Sequence, residues 1–302
     1  MDSNQLIVIA GPTASGKSSL AMDLAEQFNG EIVSADSMQV YKDLDIGTAK
    51  ADAKELARGP QWLLDLVDMK EQFSVADFVK EADQAIAAIR KRGKLPIVVG
   101  GTGFYVKALL GQQKLDFAPS NEEEQRIDAK RSLTDLVDEL KKIADENLFK
   151  RVDLKNKARV LRALQIARHG KKTEEAPKRP IYNALVLGLD WPREKLYERI
   201  NDRVLVMLEK GLENEARALY DAGGLALQAG RGIGYKEFYP YFEGTMTKET
   251  VIFLIQQDSR RYAKRQLTYW RHQIEGLEWI DGQKPFAEAV NRVTNFLEEK
   301  DN

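Results

Sequence analysis

The glycine-rich segment at residues 11–18 constrains this 302-residue chain more than any other part of its sequence. It follows an apolar run at residues 6–10 and precedes residues 18–28, where apolar side chains recur at helical spacing. A turn between a strand and a helix points backbone N–H groups and the positive end of the helix dipole at phosphate oxygens. The lysine adds positive charge, and the hydroxyl of Ser18 can coordinate Mg²⁺. The predicted phosphate-binding loop consists of Gly11, Pro12, Thr13, Ala14, Ser15, Gly16, Lys17 and Ser18.

Strand-like and helix-like segments alternate through the first third of the chain. Short apolar runs predict strands at residues 6–10, 31–34, 63–67 and 95–99. The pattern at residues 73–92 predicts a helix with Ser74 as its N-cap. This alternation is typical of an α/β fold with a parallel sheet, and with the phosphate loop it predicts a P-loop NTPase-like core.

Residues 113–183 differ in character from the rest of the chain. They are charged, show helical patterns at 133–143 and 158–168, and contain no clear strand. After this segment the patterns predict a strand at 184–189 and helices at 193–210, 213–222 and 248–270. We therefore predict a catalytic core formed by residues 1–112 and 184–302, with a helical insertion at 113–183 between its two parts.

Positive charge is concentrated between residues 150 and 179, where eleven Lys and Arg against three acids give a net charge of +8. The whole chain has 46 Lys and Arg and 47 Asp and Glu, a net charge of −1. That balance argues against nonspecific nucleic-acid binding, but a local basic surface still attracts phosphates. We favour an RNA-facing surface here over the alternative of a solvated helix and loop.

The composition excludes several kinds of site. The chain has no cysteine, which excludes disulfides, thiolate zinc sites and cysteine nucleophiles. Its two histidines, His169 and His272, lie far apart, which argues against a His-rich metal site and a His-centred hydrolase. No apolar run approaches the roughly 18 residues of a membrane span, and the first residues do not resemble a secretory signal. We expect a cytoplasmic protein that does not contact membranes.

Polar residues follow the second predicted strand at the edge where open α/β sheets bind ligands. Asp36 is a candidate general base for an incoming nucleophile, and a turn cap is its alternative role. The amide of Gln39 both donates and accepts hydrogen bonds, so it can pair with the edge of a nucleic-acid base. These two residues make this strand end a candidate acceptor site.

The strand predicted at 95–99 ends in Gly-Gly-Thr-Gly at residues 100–103. ATPases and GTPases need an acid to hold Mg²⁺, and the absence of one here weakens an interpretation as a nucleotide hydrolase. A second phosphate-contacting turn with the hydroxyl of Thr102 is favoured, and a tight turn that requires positive φ is the alternative. Arg231, in a later glycine-rich turn, can clamp a diphosphate, although a surface arginine fits its spacing equally well.

Several motifs together resemble the tRNA dimethylallyltransferase family, also called tRNA isopentenyltransferases, in its bacterial form. Besides the phosphate loop, these motifs occupy residues 36–41, 47–50, 74–78, 100–105, 162–164, 234–237 and 262–266. Their joint order covers nearly the whole chain and is more specific than any single motif. The resemblance implies transfer of a dimethylallyl group from dimethylallyl diphosphate to N6 of adenine 37 in tRNAs that read codons beginning with U. The product would be N6-isopentenyladenosine.

The resemblance also implies roles for individual residues. Asp36 would accept the N6 proton, Gln39 would hold the adenine, and Thr102 would support the reacting centre. Lys17, Arg231 and a Mg²⁺ ion held by Ser18 would stabilise the diphosphate. The implied contacts with the tRNA anticodon stem-loop involve Asp36, Ser37, Met38, Gln39, Thr102, Arg159, Val160, Leu161 and Arg162. The helical insertion would grip the stem-loop, and we expect a monomer.

Three other functions remain open on the sequence. A prenyltransferase acting on free adenine nucleotides would share the motifs but would not need the basic insertion. A small-molecule P-loop kinase with Asp36 as its base would consume ATP. A noncatalytic RNA-binding module with a vestigial phosphate loop would keep its function after the substitution Asp36→Ala.

Overall fold

A computed structural model describes residues 4–113, 122–170 and 179–299 of the chain. The chain divides into two compact units. The core unit comprises Met1–Gln113 and Pro180–Asn302, and the helical unit comprises Lys114–Arg179. Each unit has a hydrophobic core of its own.

A parallel sheet with the strand order β3-β2-β4-β1-β5-β6 forms the centre of the core unit. Its strands are β1 (Gln5–Ala10), β2 (Gly30–Ser34), β3 (Gln61–Trp62), β4 (Leu95–Gly100), β5 (Asn183–Asp190) and β6 (Leu277–Asp281). All neighbouring strands pair in parallel. Strands covered on both faces are continuous apolar runs, and every residue of β1, β2 and β4 is buried. The sheet confirms the predicted α/β core.

Helices connect the strands and form the helical unit. In chain order they are α1 (Lys17–Gln27), α2 (Ala53–Arg58), α3 (Val75–Lys91), α4 (Gly103–Leu109), α5 (Glu122–Ala129), α6 (Leu133–Ile143), α7 (Glu146–Arg151), α8 (Lys157–His169), α9 (Arg193–Glu209), α10 (Leu212–Ala222), α11 (Tyr239–Phe242), α12 (Lys248–Gln273) and α13 (Pro285–Glu298). Within the described residues, none of them is long and apolar enough to cross a membrane.

Helices α1 and α13 pack against one face of the sheet. Leu20 and Leu24 of α1 and Val293 of α13 share a hydrophobic core with Ile7 and Ile9 of β1. Because β1 lies between β4 and β5, this packing holds the central strand, from which the phosphate loop emerges, in the most buried part of the unit.

Helix α3 begins where the sequence predicts. The side chain of Ser74 accepts a hydrogen bond from the backbone N–H of Asp77, and the carboxylate of Asp77 accepts one from the backbone N–H of Ser74. This capping box satisfies two N–H groups that the first helical turn leaves unpaired.

The strand predicted at residues 63–67 is wrong. Strand β3 consists of two residues and ends at Trp62. Leu63 and Asp65 have φ angles of 67° and 55°, a left-handed conformation that interrupts an extended chain. Val67 forms a single isolated bridge with Tyr41. The apolar run at 63–67 is therefore an irregular loop.

The helical unit has a small core between α6 and α8. Leu136 and Leu140 of α6 pack with Val160 and Leu164 of α8. Helix α6 has the predicted bounds, and α8 exceeds the predicted 158–168 by one residue at each end. Side chains that accept hydrogen bonds from the first turns of α6, α7 and α8 are those of Ser132, Asp145 and Asn156.

Charged side chains in the helical unit pair with one another. Arg168 contacts Asp128 at 2.7 Å and also contacts Glu139, and Arg131 contacts the same two carboxylates at 2.8 and 2.7 Å. Burial alone would raise the pKa of Asp128, but the hydrogen bonds from Arg168 and Arg131 outweigh it and lower the pKa. Part of the positive charge counted from the sequence is therefore neutralised inside the unit.

Candidate active site

The loops after β1 and β2 and the last residues of β4 line one cavity in the core unit. These three strands are neighbours in the sheet, and the cavity has a volume of about 420 Å³. The predicted site residues along its wall are Thr13, Ala14, Lys17, Ser18, Asp36, Ser37, Met38, Gln39 and Arg231. The structure thus brings the predicted phosphate loop and the predicted base together.

The other members of the phosphate loop shape its turn between β1 and α1. Gly16 has a φ angle of 88°, which favours glycine, and the backbone N–H of Ser15 donates to the carbonyl of Pro12 at 3.3 Å. A Cβ atom added to Gly11 would lie 2.7 Å from Oγ of Ser15. These residues let the loop close tightly before the first turn of the helix.

Lys17 is the first residue of α1, and its ammonium group donates a hydrogen bond to the carbonyl of Pro12 at 3.1 Å. Burial and the nearby positive charge of Arg203 lower the pKa of Lys17 to about 8, while the carboxylate of Asp36 opposes the shift. The protein therefore places a cation where its charge is unfavourable. An anion bound beside Lys17 would stabilise the charged form.

Asp36 follows β2 and lines the cavity. Its Oδ1 atom accepts a hydrogen bond from the backbone N–H of Met38 at 2.9 Å, so the alternative role as a turn cap is present in the structure. The hydroxyl oxygen of Thr102 accepts a hydrogen bond from the backbone N–H of Ser37 at 3.2 Å. Thr102 thus ties the loop after β4 to the loop that carries Asp36.

Close contacts explain the two glycines at the end of β4. A Cβ atom added to Gly100 would lie 2.1 Å from the carbonyl oxygen of Ala35, and one added to Gly101 would lie 2.4 Å from Nε2 of Gln266. Neither glycine has a positive φ. The alternative of a turn that requires positive φ is therefore wrong, because these positions need space and not a special dihedral angle.

Gln39 makes three hydrogen bonds within the protein. Its Oε1 atom accepts from the hydroxyl of Ser34 at 2.8 Å, and its Nε2 atom donates to the carbonyls of Thr48 and Ala49, each at 3.2 Å. In this arrangement the amide braces the loop at residues 47–50. The contact with an adenine edge remains a prediction. Both hydrogens of Nε2 are used within the protein, so Oε1, which has a second lone pair, would be the atom that accepts from the base.

Gln266 on α12 links the loops after β1 and β4. Its Oε1 atom accepts a hydrogen bond from the backbone N–H of Thr13, and its Nε2 atom donates to the carbonyl of Gly101, both at 2.9 Å. The side chain is buried. The spacing of residues 264–268 is typical of a solvated helix face, but Gln266 is buried, and its neutral amide satisfies two backbone groups at once.

Sequence reasoning missed two arginines on α9. Arg203 lines the cavity, and burial lowers its pKa while the carboxylate of Asp36 opposes the shift. Arg199 donates from Nε to the carbonyl of Ala14 at 2.9 Å and lies over the ring of Trp191. The only local signal is their separation of four residues, which places both on one helix face. That face resembles a solvated surface until the fold is known.

Arg231 lies on a short 3₁₀ turn and lines the cavity. Its side chain is exposed, and its Nε atom donates to the carbonyl of Leu225 at 3.1 Å. This hydrogen bond orients the guanidinium group and leaves its terminal amino groups for other contacts. The clamp on a diphosphate stays a prediction.

The remaining predicted RNA contacts lie on α8 of the helical unit. Arg159 is exposed, and its guanidinium group lies 3.5 Å from the carboxylate of Asp153. Arg162 is exposed as well, and Leu161 packs against the core of the unit. Val160 is fully buried in that core, so its side chain supports the helix, and an RNA contact at this position stays a prediction.

The basic stretch is less available than its net charge suggests. Arg168 is held by carboxylates, and the ammonium group of Lys157 donates to the backbone carbonyls of Ala129 and Arg131 at 2.8 and 2.6 Å. Lys171, Lys172 and Lys178 lie outside the described residues. A count of charges along the chain does not reveal which cations the fold already uses.

Comparisons with known proteins identify the family to which the chain belongs. Residues 39–273 match the IPP transferase family. The chain is 57% identical to a tRNA dimethylallyltransferase of Leuconostoc citreum over 97% of this chain and 99% of the relative. A phosphate-loop α/β core of this kind, at this similarity, defines the class: the chain belongs to the tRNA dimethylallyltransferase family.

Solved structures show the same relationship. The full-length tRNA isopentenylpyrophosphate transferase of Bacillus halodurans is 40% identical, with a TM-score of 0.72, over 97% of this chain and 95% of that chain. A eukaryotic dimethylallyltransferase acting on tRNA is 29% identical, with a TM-score of 0.83, over 97% of this chain and 79% of that chain. The P-loop NTPase-like core predicted from the sequence is confirmed.

Proposed function

We propose that this chain transfers a dimethylallyl group from dimethylallyl diphosphate to N6 of adenine 37 in tRNAs that read codons beginning with U. The observation that carries the proposal is the presence of Lys17 and Asp36 in one cavity. A cation suits a diphosphate leaving group, and a carboxylate suits the proton of an attacking amine. The names of the relatives, tRNA dimethylallyltransferases, support both substrates.

The reaction exchanges one bond at the allylic carbon for another. A bond forms between N6 and C1 of the dimethylallyl group, the C1–O bond breaks, and its electron pair leaves with the diphosphate. The proton of N6 passes to the carboxylate of Asp36. The lone pair of an adenine amine is delocalised into the ring, so alignment and preorganised positive charge must supply most of the acceleration.

The diphosphate fits the phosphate loop. The N-terminus of α1 presents backbone N–H groups and the positive end of its dipole. Lys17 and Arg203 add two cations whose pKa values burial has lowered, so a bound dianion or trianion relieves an existing electrostatic cost. Arg231 at the cavity wall would complete the clamp on the leaving group.

Magnesium fits the donor chemistry of this wall. Mg²⁺ prefers hard oxygen ligands and usually combines a few protein oxygens with substrate phosphates. The hydroxyl of Ser18 lies in the first turn of α1 and lines the cavity next to Lys17. We propose that Ser18 holds the ion, which when bound neutralises charge on the departing diphosphate.

The RNA acceptor accounts for exposed cations outside the cavity. Arg159 and Arg162 would contact phosphates of the anticodon stem-loop, because such contacts position an RNA without reading its sequence. Moving adenine 37 out of its stack costs about a few kcal/mol, which these backbone contacts offset. We further propose that the protein acts as a monomer in the cytoplasm.

The test is a label-transfer assay with Mg²⁺ and labelled dimethylallyl diphosphate. The acceptors are an anticodon stem-loop with adenine 37, the same RNA with guanine at that position, and free AMP. We expect label only in the adenine-containing RNA. Label in AMP would indicate a free-nucleotide prenyltransferase, and consumption of ATP with no labelled acceptor would indicate a kinase.

A further inference from the structure

The loop at residues 44–50 forms part of the cavity wall. A carboxylate from a helix far along the chain holds this loop in place. Gly47, Thr48 and Ala49 line the cavity. The carboxylate belongs to Glu215 of α10, 168 residues beyond Gly47 in the chain. No local pattern in the sequence connects the two.

Glu215 accepts four hydrogen bonds. Its Oε2 atom accepts from the backbone N–H groups of Asp45 and Ile46, each at 2.8 Å. Its Oε1 atom accepts from the backbone N–H of Gly47 at 2.8 Å and from the hydroxyl of Tyr235 at 2.6 Å. Consecutive N–H groups that converge on one anion form a nest, and here the anion is part of the protein.

Two other contacts fix the same loop. The ammonium group of Lys50, which is almost fully buried, donates to the carbonyl of Tyr41 at 2.9 Å and to the carboxylate of Asp65 at 2.6 Å. A Cβ atom added to Gly47 would lie 2.6 Å from the ring of Tyr235, so the loop packs tightly against that residue. The loop therefore has a defined position before any ligand binds.

Gln39 links the loop at 44–50 to the proposed acceptor site. The amide of Gln39 donates to the carbonyls of Thr48 and Ala49, and Gln39 lies three residues after Asp36 on the loop that follows β2. The phosphate loop has separate support, because Gln266 holds Thr13 from α12. A change at Glu215 is thus expected to act on the side of the cavity that contains the base and not on the phosphate side.

We propose that Glu215 is a positioning residue for the RNA acceptor, which holds the loop at 44–50 so that Gln39 and Asp36 meet the adenine. The inference rests on the proposed function, since it assigns this side of the cavity to the acceptor. Replacement of the carboxylate by an amide removes a charge and puts an NH₂ donor in place of one acceptor oxygen. That donor must then face backbone N–H donors, either those of Asp45 and Ile46 or that of Gly47. Hydrogen bonds to charged groups are the strong ones, and their loss is large.

The test compares Glu215→Gln with Glu213→Gln in the full chain. Glu213 lies on the same helix and pairs with Lys248 at 2.6 Å, so its substitution controls for a charge lost from α10. In Glu215→Gln we expect the kcat/KM for the stem-loop to fall about tenfold or more, with the KM for dimethylallyl diphosphate nearly unchanged. Tyr235→Phe, which removes one of the four bonds, should give a smaller loss of the same kind.

Hydrogen–deuterium exchange supplies a readout that does not depend on activity. The amides of Asp45, Ile46 and Gly47 should exchange faster in Glu215→Gln than in the unaltered protein or in Glu213→Gln. Unchanged exchange, or an equal change in the kinetic constants for both substrates, would overturn the positioning role. If the unaltered protein transfers no label to RNA, the proposed function fails, whereas normal transfer with unaffected Glu215→Gln kinetics rejects only this inference.

Discussion

The core unit and the helical unit use positive charge in opposite ways. In the core unit, burial lowers the pKa of Lys17 and of Arg203, and both residues line the cavity. In the helical unit, the hydrogen bond to Asp128 raises the pKa of Arg168 although partial burial opposes it. The cavity of the core unit holds Lys17 and Arg203 at a cost to folding, whereas Arg168 of the helical unit is paired with carboxylates in the folded state.

The difference separates two uses of the same residue types. A buried cation with incomplete compensation destabilises the folded chain, and a ligand anion recovers that free energy on binding. A cation held by carboxylates supports the fold and offers little to RNA. Loss of a cavity cation should therefore weaken substrate binding, whereas loss of a paired cation in the helical unit should lower the free energy of unfolding.

The largest effect is expected for Asp36→Ala. Loss of a general base lowers turnover by about 10²- to 10⁴-fold, while RNA affinity should remain close to that of the unaltered protein. Single-turnover label transfer and filter binding measure the two quantities. Asp68→Ala is the control, because Asp68 is an exposed acid that pairs with Lys42 at 3.6 Å. Normal turnover in Asp36→Ala would remove this residue from the base role.

In the helical unit, Arg168→Gln should reduce stability by about 2–3 kcal/mol, since it leaves the buried carboxylate of Asp128 without its closest cation. Urea unfolding measures the loss. The exposed Arg159 on the same helix provides the comparison: Arg159→Gln should leave the free energy of unfolding unchanged and weaken RNA binding. If Arg159→Gln destabilised the protein and Arg168→Gln did not, the assignment of paired and available cations would be reversed.

In the core unit, Arg203→Gln should raise the KM for dimethylallyl diphosphate about tenfold or more without lowering the free energy of unfolding. The reason is that Arg203 contributes charge repulsion to Lys17 in the free protein. Arg193→Gln on the same helix is the control, because its guanidinium group lies over the ring of Tyr197. A parallel loss of stability and donor affinity in Arg203→Gln would show that this arginine is mainly structural.

The smallest effect concerns pH. The pKa of Lys17 lies near 8, below its ordinary value of 10.5, so the folded chain binds fewer protons than the unfolded chain between these values, and stability should rise with pH across that window. Affinity for inorganic diphosphate should change in the opposite direction, with a loss above pH 8 that approaches about tenfold per pH unit. Calorimetric titration measures this slope. Lys17→Met should flatten it, and a slope that persists in Lys17→Met would assign the titration to another group.

The sequence predicts the parts of the site that depend on local pattern. The phosphate loop and Asp36 follow apolar runs, and the carboxyl ends of parallel strands meet at one edge, so their convergence on the cavity follows from the fold class. Thr102 also follows such a run, and its hydroxyl contacts the backbone N–H of Ser37. Helix α3 and its N-cap Ser74 are predicted for the same reason, because a capping box is a contiguous signal.

The remaining parts depend on contacts between distant segments. Arg203, Glu215 and Gln266 lie on helices whose patterns resemble ordinary solvated faces, and each gains its role from a loop more than 150 residues earlier. The strand at 63–67 fails because apolar content does not reveal the left-handed residues Leu63 and Asp65. Charge counting failed at Arg168 because its partners lie on other helices.

Because Gly100 has no side chain, its backbone can lie close to the backbone of Ala35. Its Cα lies so near the backbone of Ala35 that a single methyl group would collide with the carbonyl at 2.1 Å. Asp36 is the next residue, so a substitution at position 100 would push the carboxylate away from the phosphate loop. Such a variant would retain every acid, base and cation of the cavity and still lose its activity. The substitutions that this active site tolerates are therefore limited by the space between two backbone segments as well as by the need to keep the reactive side chains.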